Sequence, residues 1–315
     1  MTPRSRLLGR RRLLRAALLG APSLALVGCG PGLTRLEPPS AGVTLRYRFA
    51  PGERLRAEVL YRHRTELNLA NLGVIRIVEL IRAEFECTVV AAVDGSAQLV
   101  ARAQRVQLDW GKLAVGSPLR RVIPQVTEDL TGTEVDITVD ARGVLLRFPD
   151  EPSDMPEALE KGLSQLLSAL RLAFFDVPGP ALPPRAPLVT VDDRQNTQRA
   201  VRLVVGTTDA RGRALTREWE FDKRSRLRSE ARLRGYVVEE GVGPLVTLEE
   251  RRVQHDELVD TRSRERSTIT RLEAVDRVRF SLGQELLRSR ATDIRLEMFG
   301  LLTHAGKLRV DWSRG

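Results

Sequence analysis

Apolar residues recur at every second position over most of the chain. Val43, Leu45, Tyr47 and Phe49 alternate with Thr44, Arg46 and Arg48, and Leu55, Ala57, Val59 and Tyr61 with Arg56, Glu58, Leu60 and Arg62. That period sends successive side chains to opposite faces of an extended strand, one apolar and one wet. Turn residues punctuate the runs. Pro51-Gly52 divides the first two; Asp94-Gly95 divides Ala83, Phe85, Cys87, Val89 and Ala91 from Ala97, Leu99 and Ala101. Asp-Gly between alternating runs predicts a two-residue hairpin, because both residues tolerate positive φ. Asp140 to Gly143 similarly joins Val135, Ile137 and Val139 to Val144, Leu146 and Phe148.

One segment breaks the period. Leu159, Leu163, Leu166, Leu167, Leu170 and Phe174 fall on one stripe of a helix expected over residues 154 to 175. Ser153 or Asp154 is placed to cap it, Pro156 suits its first turn, and Pro178-Gly179-Pro180 is expected to stop it. A shorter helix is expected from Pro124 to Gly132. The proline-rich stretch 178 to 187 is a candidate internal boundary. Alternation then resumes at Val201, Leu203 and Val205, at Leu215, Trp219 and Phe221, and at Val246 and Leu248. It continues at Val278, Phe280 and Leu282, at Ile294, Leu296 and Met298, and at Leu308, Val310 and Trp312. Arginine and glutamate fill the gaps, so each strand wets one face, as antiparallel sheets permit. The expected fold is mainly β (α+β), a curved antiparallel sheet or incomplete barrel packed on one long helix. Leu163 and Leu167 are expected to be buried against the strands.

The amino terminus follows a different logic. Arg4, Arg6, Arg10, Arg11, Arg12 and Arg15 precede an apolar run at residues 16 to 28, the layout of an export signal. As a helix that run would span only about 20 Å, short of a bilayer core. Leu26-Val27-Gly28-Cys29 resembles the bacterial lipobox. The resemblance implies cleavage between Gly28 and Cys29, a diacylglyceryl (palmitate-type) thioether on Cys29, and an anchor of two or three acyl chains, enough for lasting attachment. Domain organisation is then a lipoprotein signal peptide at 1–28, an acylated cysteine with a flexible tether at 29–42, and a β domain at 43–315. Gly9 to Arg15 is similar to a twin-arginine motif, with Leu13 and Gly9 at positions where other residues are usual; the general secretory route is the alternative. Gly30, rather than an aspartate, follows Cys29, which favours the outer membrane, facing the periplasm.

Composition narrows the partners. The formal charge is +10, but residues 1 to 28 hold six arginines and no acids, leaving 45 basic against 41 acidic residues, a net of +4. Apparent basicity therefore belongs largely to the signal, and no nucleic-acid partner is expected. With Cys29 lipidated, Cys87 is alone, so no intramolecular disulfide is expected; its place on the apolar phase of a strand reads as a small buried hydrophobe. His63, His255 and His304 are far apart in sequence, so no metal centre and no cofactor are expected. Gln254-His255-Asp256-Glu257, with Asp260, reads as a solvated turn, and His304 before Ala305-Gly306 as a hairpin tip. No nucleophile-elbow, Walker or zinc-protease motif occurs, and no catalytic residue is assigned.

The order of elements, and the opening LRYRFAPGERLRAEVLYR, resemble the LolA-like and LppX-like lipoprotein-carrier superfamily and uncharacterised envelope lipoproteins. That resemblance implies a concave apolar sheet face able to take acyl chains, and it transfers no site residue. Two functions follow. One is a non-catalytic envelope lipoprotein, anchored in the membrane and binding a lipid, another apolar ligand or an envelope protein. The alternative is an envelope hydrolase with a discontinuous active site.

Overall fold

The structure is a computed structural model that describes residues 33–69, 73–111, 118–150, 155–208, 214–239, 243–261, 266–299 and 301–315. Gly28 and Cys29, where cleavage and lipidation are expected, lie outside the described residues, as do Ser153 and Asp154. Thr34–Gly315 forms one compact unit. The first half runs β1 Leu33–Arg35, β2 Arg54–Leu69, β3 Gly73–Val93, β4 Ser96–Asp109, α1 Pro118–Leu130, β5 Glu134–Asp140, β6 Leu145–Arg147 and α2 Glu157–Ala173. The second half is strand alone: β7 Leu188–Thr208, β8 Ala214–Glu239, β9 Gly243–Asp260, β10 Arg266–Ser281, β11 Leu286–Met298 and β12 Leu302–Arg314.

The twelve strands form one sheet in the order β1-β8-β9-β10-β11-β12-β2-β3-β4-β5-β6, with β7 also paired to β8. Each pairing of known register is antiparallel, so the alternation read from the sequence becomes one continuous face. Asp94 and Gly95 take φ of 49° and 76°, the two positive values that the β3–β4 hairpin requires. Strands from the two ends of the chain meet at the middle of the sheet, where Val310 of β12 lies opposite Val59 of β2.

The expected packing of the sheet on one long helix is wrong. Among the described residues there are two short helices, of 13 and 17 residues, beside a sheet whose longest strand has 26. At helical rise α2 spans about 25 Å, whereas β8 extends over roughly 85 Å. A helix of that length covers one end of the sheet only. α2 starts at Glu157 behind Pro156, whose carbonyl accepts from the amides of Leu159 and Glu160. It ends at Phe174, already extended at φ −89° and ψ 142°, before the prolines expected to stop it. Side chains of the sheet take its last carbonyls: Trp312 Nε1 donates to Ala173 O at 2.9 Å, and Arg290 Nη1 to Leu172 O and Phe174 O, each at 3.0 Å.

α1 begins at Pro118, six residues before the expected start, and carries Pro124 inside it. Its Val126 and Leu130 meet α2 at Gly162, where a Cβ would sit 2.6 Å from Val126 Cγ1. Leu166 and Leu170 are fully buried, Leu167 is buried, and Leu163 only partly so. They pack with Leu55, Phe85, Leu99, Ile137 and Phe280 in one core. Residues 43–49 alternate in burial as a strand would, yet form no ladder. Their amides go to three different elements: Val43 to Leu182 O, Tyr47 to Ala141 O and Arg48 to Glu285 O. The side chains of Leu203, Trp219 and Phe221 lie outside those described; Trp110 and Trp312 are buried.

Candidate functional site

Beyond the reach of the helices' apolar stripe, the same sheet face becomes polar. Tyr61, His63 and Thr65 follow Val59 at alternate positions of β2 and therefore share its face. Cross-strand register sets Glu79 of β3 opposite His63, and His304 of β12 opposite Thr65. Two of the three histidines thus meet, with ring centroids 4.9 Å apart. His304 is not a hairpin tip but the third residue of a long strand. Gly306, opposite His63, makes room: a Cβ there would lie 3.0 Å from Cε2 and the hydroxyl of Tyr61. Tyr61 leans across that gap so that its hydroxyl sits 3.0 Å from His304 Nε2, while Thr65 Oγ1 lies 3.1 Å from Nδ1.

Glu79 is the hub. His63 Nε2 donates to its Oε2 at 2.8 Å, Gln165 Nε2 to the same oxygen at 3.1 Å, and Lys161 Nζ approaches Oε1 at 2.5 Å. Lys161 and Gln165 lie off the leucine stripe of α2, and here they tie the helix to the sheet. Trp110 completes the frame, donating from Nε1 to Gln165 Oε1 at 2.8 Å while Lys161 Nζ stands 4.9 Å from its ring centroid. The hydrogen bond from His63 acts against burial, and with Lys161 it brings the Glu79 pKa down to about 2. Burial, followed by the neighbouring His63, lowers that of His304. A carboxylate can only accept, so His63 Nε2 carries a proton. Its Nδ1 is buried without a partner among the described residues.

As chemistry this is two incomplete halves. His63 has a carboxylate but no hydroxyl on its other nitrogen; His304 has two hydroxyls and no carboxylate among its described partners. A nucleophile–base–carboxylate relay needs all three on one imidazole. No group of three or more metal-ligating side chains is present among the described residues.

The face changes again past Glu79. Ile77 and Ile75 continue its side of β3 and are exposed, at 44% and 45%. Opposite Ile75 stands Leu67, itself opposite Leu302, which pairs with Met298. In this apolar strip Ile75 and Ile77 are exposed, while Leu67, Leu302 and Met298 are half-buried.

Elsewhere on the face, strands β9 to β11 bury a charged network that the sequence reading overlooked. Asp276 is fully buried and accepts from Arg290 Nε at 2.6 Å, with Thr292 and Arg252 as further donors. Burial opposes its ionisation, but the two guanidiniums prevail and hold its pKa below the usual carboxylate value. The cluster at Gln254 to Glu257 is no turn: it lies within β9, with Asp256 buried and bonded by Ser225 at 2.6 Å, and His255 exposed. Cys87 is fully buried, and burial pushes its thiol up to about 12. No helix among the described residues is long and apolar enough to cross a membrane.

No known protein family matches this chain, and no curated protein matches it. Among solved structures it is similar to an outer membrane channel from Pseudomonas putida F1, at 9% identity and a TM-score of 0.22, over 88% of this chain and 100% of the other. A second, described as asymmetric conductivity of engineered proteins, gives 9% identity and a TM-score of 0.22, over 82% of this chain and 100% of that one. Likeness at this level assigns neither fold nor function here.

Proposed function

We propose that the chain is a non-catalytic envelope lipoprotein, anchored through Cys29 at the outer membrane and facing the periplasm, whose helix-bearing sheet face holds an amphiphile. The observation that carries this reading is the sequence of surfaces along one face of β2, β3 and β12. A polar row of His63, Glu79, Lys161 and His304 borders an apolar strip of exposed Ile75 and Ile77 and half-buried Leu67 and Leu302. An acyl chain laid on the strip would contribute ~0.8 kcal/mol for each methylene removed from water. Its head would then lie beside the polar row, where the partly exposed Lys161 ammonium offers a donor. No cofactor is required.

The test is extraction. A chain starting at Gly30, which carries no acyl group of its own, is purified from cells, extracted with organic solvent and analysed by mass spectrometry. A lipid recovered at about one per chain supports the reading. Clean extracts, together with no saturable binding of added oleate or diacylglycerol, refute it.

The alternative of an envelope hydrolase draws on the His63–Glu79 pair. It requires a substrate or water to occupy His63 Nδ1, since the hydroxyls of Thr65 and Tyr61 are engaged by His304. Ester hydrolysis that disappears in His63→Ala and survives in His255→Ala would favour it.

A further inference from the structure

The opposite face of the sheet carries a second site. Arg62 and Arg64 alternate with His63 on β2, as Lys307 does with Gly306 on β12 and Arg295 with Ile294 on β11, so these four cations project away from the helices. They line a groove of about 650 Å³, within the ~300–1,000 Å³ typical of small-ligand sites. Register explains the convergence. Lys307 stands directly opposite Arg62, and Ala305 separates Arg64 from Arg295. Like charges placed directly across a ladder repel, and here no carboxylate intervenes between Arg62 and Lys307.

The groove's two acids stand directly across the ladders from two of its cations, Asp293 from Lys307 and Glu273 from Arg295, but both accept their side-chain hydrogen bonds from other arginines. Glu273 accepts from Arg271 at 2.9 Å and Asp293 from Arg277 at 3.1 Å, and neither of those arginines lines the groove. Arg64 is committed to Glu66. Arg62, Arg295 and Lys307 form no ion pair or side-chain hydrogen bond among the described residues, and all three are exposed. Three uncommitted cations therefore surround one concavity on three adjacent strands.

We propose that this groove binds a phosphate-bearing anion. The charge it must balance is that of a phosphomonoester or of clustered phosphodiesters, and Arg62 and Arg295 offer the forked donors that phosphate oxygens accept. The inference does not rest on the amphiphile reading, which concerns the other face. A soluble phosphate compound and a lipid headgroup share this chemistry, so the test separates them.

Full-length chain is titrated with inorganic pyrophosphate and with glycerol 3-phosphate by calorimetry, and floated with vesicles of phosphatidylglycerol or of phosphatidylcholine. Arg62→Ala, Arg295→Ala and Lys307→Ala are compared with wild type, with Lys307→Arg as the charge-retaining variant and Arg46→Ala as a control outside the groove. Circular dichroism confirms that each variant is folded. Saturable binding of a soluble phosphate, weakened tenfold or more by the three alanine variants and kept by the other two, supports a site for a free phosphate compound. Preference for phosphatidylglycerol vesicles with the same dependence supports a headgroup. Binding in neither arm, or binding that the three alanine variants leave within twofold of wild type, overturns the proposal.

Discussion

The imidazoles of His63 and His304, contributed by strands from opposite ends of the chain, lie 4.9 Å apart and answer to different partners. His63 is held by the carboxylate of Glu79, and His304 by the hydroxyls of Tyr61 and Thr65. The pair therefore links acid sensitivity to the junction of β2 and β12.

That linkage has a sign. The His304 pKa is lowered from 6.5 in the fold, and the Glu79 pKa from 4.5 to about 2, so both groups hold fewer protons folded than unfolded. The contribution of His304 is complete above 6.5 and is lost as pH falls through its lower folded value. That of Glu79 is complete above 4.5 and is lost toward 2. Melting temperature followed by circular dichroism should decline on acidification in two legs. His304→Phe should remove the upper leg and Glu79→Gln the lower. A profile unchanged in both variants would disprove the linkage.

Arg290 joins two elements at once, binding buried Asp276 and the terminal carbonyls of α2. Arg290→Met leaves the buried Asp276 with Arg252 and Thr292 alone and leaves helix-end carbonyls unpaired, so a loss of about 3 kcal/mol in urea unfolding is expected. Arg290→Lys keeps the charge but not the fork, and should fall between. A midpoint for Arg290→Met equal to wild type would show that the network is not structural.

The helix stripe is graded. Leu170 is fully buried and Leu163 partly so. Leu170→Ala should cost about 2–5 kcal/mol through the cavity it leaves, and Leu170→Asp should not fold. Leu163→Ala should cost less than half as much as Leu170→Ala by thermal unfolding. Equal losses would mean that the two positions are equally enclosed.

Cys87 lies between Leu55 and Ala101 across its two ladders, with a thiol pushed up to about 12. It should not react with a disulfide reagent in native protein and should react at once in guanidinium. Rapid native labelling would place it on an accessible surface.

Much of the sheet was legible because the period of two survives in nearly every strand, and Asp94-Gly95 marked its hairpin. Charge on the apolar phase was also legible and was missed: Asp276 sits between Ala274 and Val278, and Glu250 two residues after Leu248. His304 and Gly306 share the parity of Leu308, Val310 and Trp312, which marks them as strand residues. The local cue of a histidine before Ala305-Gly306 pointed to a turn, but that glycine makes room for the ring of Tyr61. Nothing local predicts that β2 pairs with β12, so neither the histidine pair nor the groove behind it could be assembled from spacing. The single long helix failed for a different reason. The stripe was correctly periodic, but its end is set by Trp312 and Arg290 on the sheet rather than by the prolines that follow.

An amphiphile lying on the helix-bearing face beside His63 should be within reach of a photoreactive acyl chain. Photocrosslinking the chain that starts at Gly30 with a diazirine fatty acid, and mapping the adducts by mass spectrometry, tests it most directly. Adducts should concentrate between Ile75 and Glu79 and between Leu302 and Gly306, and should disappear in Ile77→Asp. Adducts spread over other strands, or unaffected by Ile77→Asp, would show that no amphiphile site lies there.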